Sequence, residues 1–363
     1  MTDPVSLSVE EVRGWVAAGG LLPHDGRLVA MLSGGRDSVC LLDLAVALCP
    51  AGAVRALHVN YGLRPAADAD ERHCRALCVA LGVELEVVRA RPPAPGNLQA
   101  WARELRYREA ERLAQALEDG GRGCTHGGDD PRHRGDVARA QRAREQPRAG
   151  GRERPPGTLI AAGHTASDQV ETILYRLAAS PGRRALLGMA PREGRLVRPL
   201  LELTREQTAA YCRARGLSWR EDESNDDERY ARARVRKGVV PALRAVHPAA
   251  EVNVLRTAER LRAEAALLDE LIDSELARAA AQTGTGTIAV ERLRTLPGAL
   301  QRLIVVRLAE DVAGTFVPQA GARVAEILAL AERGGRAELH VGGLVAAVVE
   351  RGCLRMVTLP PRR

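Results

Sequence analysis

The sequence predicts an α/β protein, a doubly wound parallel sheet followed by a smaller, mainly helical C-terminal domain. Three observations predict it. Short apolar runs at 27–32, 54–59, 83–89 and 158–162 alternate with helical patterns near 38–48, 68–81 and 98–118. No hairpin signal separates them, as expected for parallel strands joined by crossover helices. The first run, Arg27 to Leu32, passes directly into Ser33-Gly34-Gly35-Arg36-Asp37-Ser38 and then Val39-Cys40-Leu41-Leu42, a strand, a tight turn and a helix start. From about Pro241 the apolar spacing changes to i, i+3, i+4 over 249–281, 298–313 and 321–333, the signature of longer helices.

Taken in order, residues 6–20 read as a short amphipathic helix opened by Ser8, with Glu11 completing a capping box. The turn at 33–38 presents backbone N–H groups to an anion, as helix N-termini do. Its glycines let the chain turn and let a phosphate approach without a Cβ in the way. Ser33 and Ser38 add hydroxyls, and Asp37 is placed to orient a phosphate-bound Mg²⁺. A Walker A loop is excluded, because that motif needs its own lysine and the only lysine of this chain is Lys237. The run 119–157 contains no Leu, Ile, Phe or Met and reads as a disordered insertion between a helix and the fourth strand. Its Cys124, His126 and His133 lack the paired spacing of a zinc site. The chain closes with Ala337 to Val341, Leu344 to Val349 and Leu354 to Thr358, short strands joined by glycine turns. The expected domains are 1–240, which carries the anion loop, and 241–363.

The chain has 363 residues, a net charge of +7 and a pI near 9.3, which points to an anionic partner, nucleic acid ahead of membrane. The positive charge is almost all arginine, a bias that a GC-rich genome also produces. No apolar run approaches the roughly 18 residues of a membrane span. The N-terminus lacks the basic and apolar regions of a signal peptide, and seven cysteines without a paired framework fit reduced thiols in a cytoplasm.

A second segment carries chemistry. Ala161-Ala162-Gly163-His164-Thr165-Ala166-Ser167-Asp168-Gln169-Val170-Glu171-Thr172 follows the fourth strand, so a parallel sheet brings it to the same edge as Ser33. His164 and Asp168, four apart, can lie on one side of a helix start as a phosphate contact and a metal ligand. A helix N-terminus rich in capping residues is the alternative.

Together the segments resemble tRNA(Ile)-lysidine synthases, a branch of the N-type ATP pyrophosphatases with their PP-loop. The resemblance runs through Ser33 to Ser38, His58-Val59-Asn60-Tyr61-Gly62-Leu63-Arg64, Ala102-Arg103-Glu104-Leu105-Arg106-Tyr107, His164 to Thr172 and Leu187-Gly188-Met189. It continues through Arg198-Pro199-Leu200 and Asp222-Glu223-Ser224-Asn225 to Arg232-Ala233-Arg234-Val235-Arg236. It covers 27–118 and 158–243 well, and Gly342-Gly343-Leu344 more loosely. It implies that ATP adenylates the C2 oxygen of the wobble cytidine of a CAU-anticodon isoleucine tRNA. The ε-amino group of L-lysine then displaces AMP to leave lysidine.

By the same resemblance Ser33, Gly34, Gly35, Arg36, Asp37 and Ser38 bind ATP, and Asp37, His164 and Asp168 are catalytic. Asp37 and Asp168 hold Mg²⁺, and Arg64, Arg103, Arg106, Arg232, Arg234 and Arg236 contact tRNA. A homodimer is compatible with the family. The further C-terminal domain of long members is expected to be missing.

This chain departs from the family pattern. The usual His-His-x-Asp-Asp-Gln reads His164-Thr165-Ala166-Ser167-Asp168-Gln169, Tyr61 stands where histidine is common, and Ala179-Ser180-Pro181-Gly182 replaces an Arg-Gly-Ser-Gly turn. Arg103 and Arg106 could face tRNA phosphates, ATP or solvent. Arg232, Arg234 and Arg236 could meet RNA or pair with Glu221 and Asp222. Asn225 reads equally as a turn former, and Cys74 and Cys78 as core thiols. Two other functions compete: a related tRNA thiolase, which would need the Cys-x-x-Cys pairs this sequence lacks, and a catalytically reduced tRNA-binding homologue, which the lost His and Asp would permit.

Overall fold

The computed structural model describes residues 7–63, 66–91, 98–120, 157–179, 183–221, 230–315, 317–332 and 335–360. Most of the expected 119–157 insertion, together with Arg64 and Asp222 to Asn225, lies outside the described residues.

The first unit contains a six-stranded sheet. Its elements in chain order are α1 (Val9–Ala18), β1 (Arg27–Met31), α2 (Arg36–Leu48), β2 (Val54–Asn60), α3 (Ala67–Ala80), β3 (Glu84–Arg89), α4 (Leu98–Gly120), β4 (Thr158–Ala161) and α5 (Ala166–Ala179). Next come β5 (Arg192–Glu193), β6 (Leu196–Val197) and α6 (Arg205–Ala214), then α7 (Ala231–Arg234), a π turn (Val235–Val239) and α8 (Val240–Val246). The strand order is β3-β2-β1-β4-β6-β5, parallel throughout except for β5 against β6. The chain therefore leaves β1 in one direction and returns on its other side at β4. Ligands of open α/β sheets bind beyond the strand C-termini at such a switch point.

The apolar runs form buried strands because both sheet faces are covered. Leu28, Ala30 and Leu32 of the β1 segment face one core, with Leu41, Leu44, Cys74 and Tyr211. Val29 and Met31 face the other, with Leu105, Leu113 and Ile160. β1 and β4 pair in parallel, so their C-terminal ends lie on one edge of the sheet. At the N-terminus, Ser8 caps α1: its hydroxyl accepts from the Glu11 N–H, and the Glu11 carboxylate accepts from the Ser8 N–H at 2.7 Å. Beyond the runs read in the sequence, a short hairpin joins β5 to β6, where Gly194 and Arg195 turn between two-residue strands. Strands of two residues leave no alternation to read.

The chain divides into compact units within α9 (Ala250–Thr283), after Leu261, so α7, the π turn and α8 belong to the unit with the parallel sheet. The second unit has its own core, including Ile272, Ile288, Leu293, Ile304, Ile327 and Val349. Around it stand α10 (Val290–Thr295), α11 (Gly298–Ala313), α12 (Val324–Glu332) and an antiparallel sheet. The sheet contains β7 (Thr287–Ala289), β8 (Arg336–Gly342), β9 (Val345–Glu350) and β10 (Cys353–Thr358), in the order β7-β10-β9-β8. The sequence read three of these strands; β7 is three residues long and carries no pattern of its own. Among the described residues no helix is long and apolar enough to cross a membrane.

Candidate active site

The loop between β1 and α2 is shaped by its own side chains. Gly34 takes φ +86°, a left-handed conformation that glycine adopts without strain. Ser38 closes the turn, its hydroxyl accepting from the Ser33 N–H at 3.1 Å and donating to the Gly35 carbonyl at 2.8 Å. Ser38 is therefore buried as the loop's internal clasp, while Ser33 stays exposed at its rim. The N-terminus of α2 follows at Arg36, presenting free backbone N–H groups.

The second segment is brought against this loop, because β4 pairs directly with β1. Gly163 makes the approach possible: a Cβ there would lie 3.0 Å from the Asp37 carbonyl oxygen and 3.2 Å from the Ser38 nitrogen. His164 comes next, and α5 then begins with a box of its own. The Thr165 N–H and hydroxyl both donate to one oxygen of Asp168, at 2.9 and 3.0 Å. In return the Asp168 N–H donates to the Thr165 hydroxyl at 3.3 Å. Thr165, a departure from the family pattern, thus holds the carboxylate that the motif retains.

Asp37 and Asp168 share a cation that the sequence reading missed. Arg205, the first residue of α6, forms ion pairs with the second oxygen of Asp168 and with Glu171, the latter at 2.8 Å. Its Nε lies 4.0 Å from Asp37. Thr208, one turn on, donates its hydroxyl to the other Asp37 oxygen at 2.5 Å. Burial alone would raise Asp168, but Arg205, the Thr165 hydrogen bonds and His164 outweigh it and hold the carboxyl below its usual range. Asp37 goes the other way: burial and the facing Asp168 charge push its pKa up, against Thr208, Arg36 and Arg205.

His164 faces a basic wall. Burial, with Arg198, Arg103 and Arg106 nearby, lowers its pKa to about 4 against the pull of Asp168, so the ring is neutral at pH 7. Its Nδ1 is buried with no hydrogen-bond partner, as is Nε of Arg198, a residue only 3% exposed. Arg198 otherwise donates to the Ala190 carbonyl at 2.5 Å and to Glu193 at 2.9 Å. Two buried polar nitrogens without partners on one side of the loop are suited to an anionic ligand. Arg176 of α5 joins the wall, its pKa lowered by burial and by Arg232, Arg103 and Arg198.

The expected arginines therefore separate. Arg103 and Arg106 are near enough to His164 to lower its pKa, and Arg232 and Arg234 are exposed on α7. Arg236 is engaged elsewhere, its guanidinium forked onto Glu171 at 2.7 and 3.1 Å instead of onto Glu221. Arg64 lies outside the described residues. Arg198 was visible in sequence only as part of Arg-Pro-Leu. Arg205 had a local signal, the capping pattern Thr204-x-x-Gln207, which marks a helix start but not what the next side chain meets.

Among the described residues no group of three His, Cys, Asp or Glu side chains is placed to hold a metal. A magnesium ion that shares its shell between phosphate oxygens and one or two carboxylates needs no such group. Asp37, half-buried and near a second carboxylate, is suited to that kind of cation.

A helix N-terminus at a Gly-rich turn, with a neutral histidine, two aspartates and several arginines at the switch point of a parallel sheet, is an arrangement suited to a nucleotide. The family model for the PP-loop domain matches residues 15–120 and 149–243, and the chain belongs to that family. Its curated relatives are narrower. The chain is 32% identical over 286 residues to a tRNA(Ile)-lysidine synthase of Pseudomonas syringae pv. tomato, covering 75% of this chain and 55% of that one. It is 34% identical over 335 residues to the enzyme of that name from Chromobacterium violaceum, covering 89% and 64%. It thus spans 55% and 64% of the length of these two relatives. Among solved structures it resembles the U34-tRNA thiolase NcsA from Methanococcus maripaludis, with a TM-score of 0.51 and 15% identity over 70% of this chain and 78% of that one, a likeness of fold alone.

Proposed function

We propose that this chain ligates L-lysine to C2 of the wobble cytidine of a CAU-anticodon isoleucine tRNA, using ATP and releasing AMP and pyrophosphate. The observation that carries the reading is the closure of the Ser33–Ser38 loop onto His164 and Asp168 through Gly163, in a chain whose relatives bear that enzyme's name.

In this reading the triphosphate lies on Ser33, Gly34, Gly35, Arg36 and Ser38, its β,γ end at the N-terminus of α2. The C2 oxygen of cytidine attacks the α-phosphorus, and pyrophosphate leaves with the electrons of the broken P–O bond. The ε-amino nitrogen of lysine then attacks C2, and AMP departs with the former carbonyl oxygen. His164, neutral and unpartnered at Nδ1, contacts the phosphoryl group being transferred without bringing a competing positive charge. Arg198 and Arg176 offset the charge that develops on the phosphoryl oxygens.

Asp37 and Asp168 are the residues that would hold Mg²⁺, which when bound neutralises triphosphate charge. Arg64, Arg103, Arg106, Arg232 and Arg234 serve the tRNA backbone; Arg236 acts through Glu171, which Arg205 also binds. A cytoplasmic homodimer belongs to the same reading. The test is mass spectrometry of nucleosides from a CAU-anticodon tRNA incubated with the folded protein, ATP and lysine. Lysidine is expected, and its absence would refute the proposal.

A further inference from the structure

The chain is poor in aromatic residues, with three tryptophans, five tyrosines and one phenylalanine. Tyr61, just past the end of β2, and Trp101, on the first turn of α4, nevertheless pack together, and Tyr107 of α4 packs on the same core. Tyr61 and Trp101 meet edge to face, with ring centroids 5.8 Å apart at 66°. The ring that offers its edge in such a pair keeps its faces free of that contact.

Two exposed arginines border the rings. The Arg103 guanidinium stands 4.9 Å from the Tyr107 centroid, and that of Arg106 stands 6.0 Å from the Tyr61 centroid. The Tyr61 hydroxyl donates to the Ala102 carbonyl at 3.0 Å and accepts from Arg106 Nε at 3.0 Å, so one phenol fixes both the helix start and the arginine. All three aromatics are half-buried, anchored on the core under β1 and β2 yet not sealed within it. The same two arginines act on the His164 ring, so the cluster adjoins the phosphate-handling side of the site.

From this juxtaposition we infer that Tyr61, Trp101 and Tyr107, with Arg103 and Arg106, form a stacking platform for an unpaired pyrimidine base, the arginines taking its flanking phosphates. This rests on the tRNA-ligase reading for the identity of the base, the wobble cytidine. The physical reason is general. A base taken out of its stack loses neighbours on both faces, and aromatic rings and guanidinium planes replace them. Core packing alone would need neither exposed arginines nor an arginine held by a phenol.

The test uses Trp101 as its own reporter. In a Trp15→Phe/Trp219→Phe protein Trp101 is the only tryptophan, and a seven-nucleotide CAU anticodon-loop RNA should quench it. The same RNA abasic at the wobble position should bind at least about fivefold more weakly. In the otherwise native protein, Trp101→Leu should raise KM for tRNA about tenfold while KM for ATP and the melting temperature hold, and Trp101→Phe should restore most of the loss. Equal binding of the abasic RNA, or an unchanged KM for tRNA in folded Trp101→Leu, would overturn the platform. Base-dependent quenching without lysidine formation would uphold the platform and refute the ligase reading instead.

Discussion

At Gly163 a single hydrogen atom decides whether the two halves of the site meet. Gly163→Ala places a methyl 3.0 Å from backbone that cannot swing aside, so overpacking should cost about 1–3 kcal/mol and open the gap between Asp37 and His164. The expected outcome is a folded protein with severely weakened ATP binding, read by calorimetric titration beside a melting curve. Asp37→Ala should abolish adenylation while leaving tRNA binding close to native, checked by pyrophosphate release and by filter binding.

His164 makes a pH prediction. Its folded pKa of about 4 lies below the ordinary 6.5, so between those values the unfolded chain binds a proton that the folded chain refuses. Stability from this residue is complete above about pH 6.5 and is lost as pH falls toward 4. Urea unfolding across that window should show a flatter pH slope in His164→Gln.

At the scale of elements, α6 does more than cover the sheet. Its first turn carries Arg205 and Thr208 to Asp37 and Asp168, and its capping box fixes that turn: the Gln207 N–H donates to the Thr204 hydroxyl, and Gln207 Oε1 accepts from the Thr204 N–H at 2.8 Å. Thr204→Ala should cost about 1 kcal/mol, measured by denaturant titration, with a larger fractional loss of turnover than a lost helix cap would otherwise cause. Most elements of this unit were legible in the sequence, because both-face burial writes long apolar runs and α1 announces its own cap. The strands β5 and β6 were not, since two residues each cannot carry a period. The π turn was equally hidden, yet within it Arg236 reaches Glu171.

For the whole molecule, the +7 charge has a measurable consequence. RNA binding should weaken steeply with salt, whereas ATP binding should respond less. Replacing Arg103 and Arg106 together with alanine should shallow the slope of log K against log salt by roughly 1.4 if both meet single-stranded phosphates. An unchanged slope would place both side chains away from RNA. Long helices and a separate apolar core were readable in the second unit. The division inside α9 was not, because a helix that passes between units keeps one apolar rhythm throughout.

The sequence by itself determined the anion loop, the parallel order of the first strands and the family they resemble, since these depend on local spacing and on the buried runs of adjacent strands. It also singled out Ser33–Ser38, His164 and Asp168. Tertiary structure alone decided how their charges are balanced. Arg205 joins Asp168 to Glu171 across 37 and 34 residues of chain, and Thr208 reaches Asp37 across 171. Tyr61 meets Arg106 across 45. Such contacts leave no period or motif in the chain, because they are set by which helix ends the sheet brings to one edge.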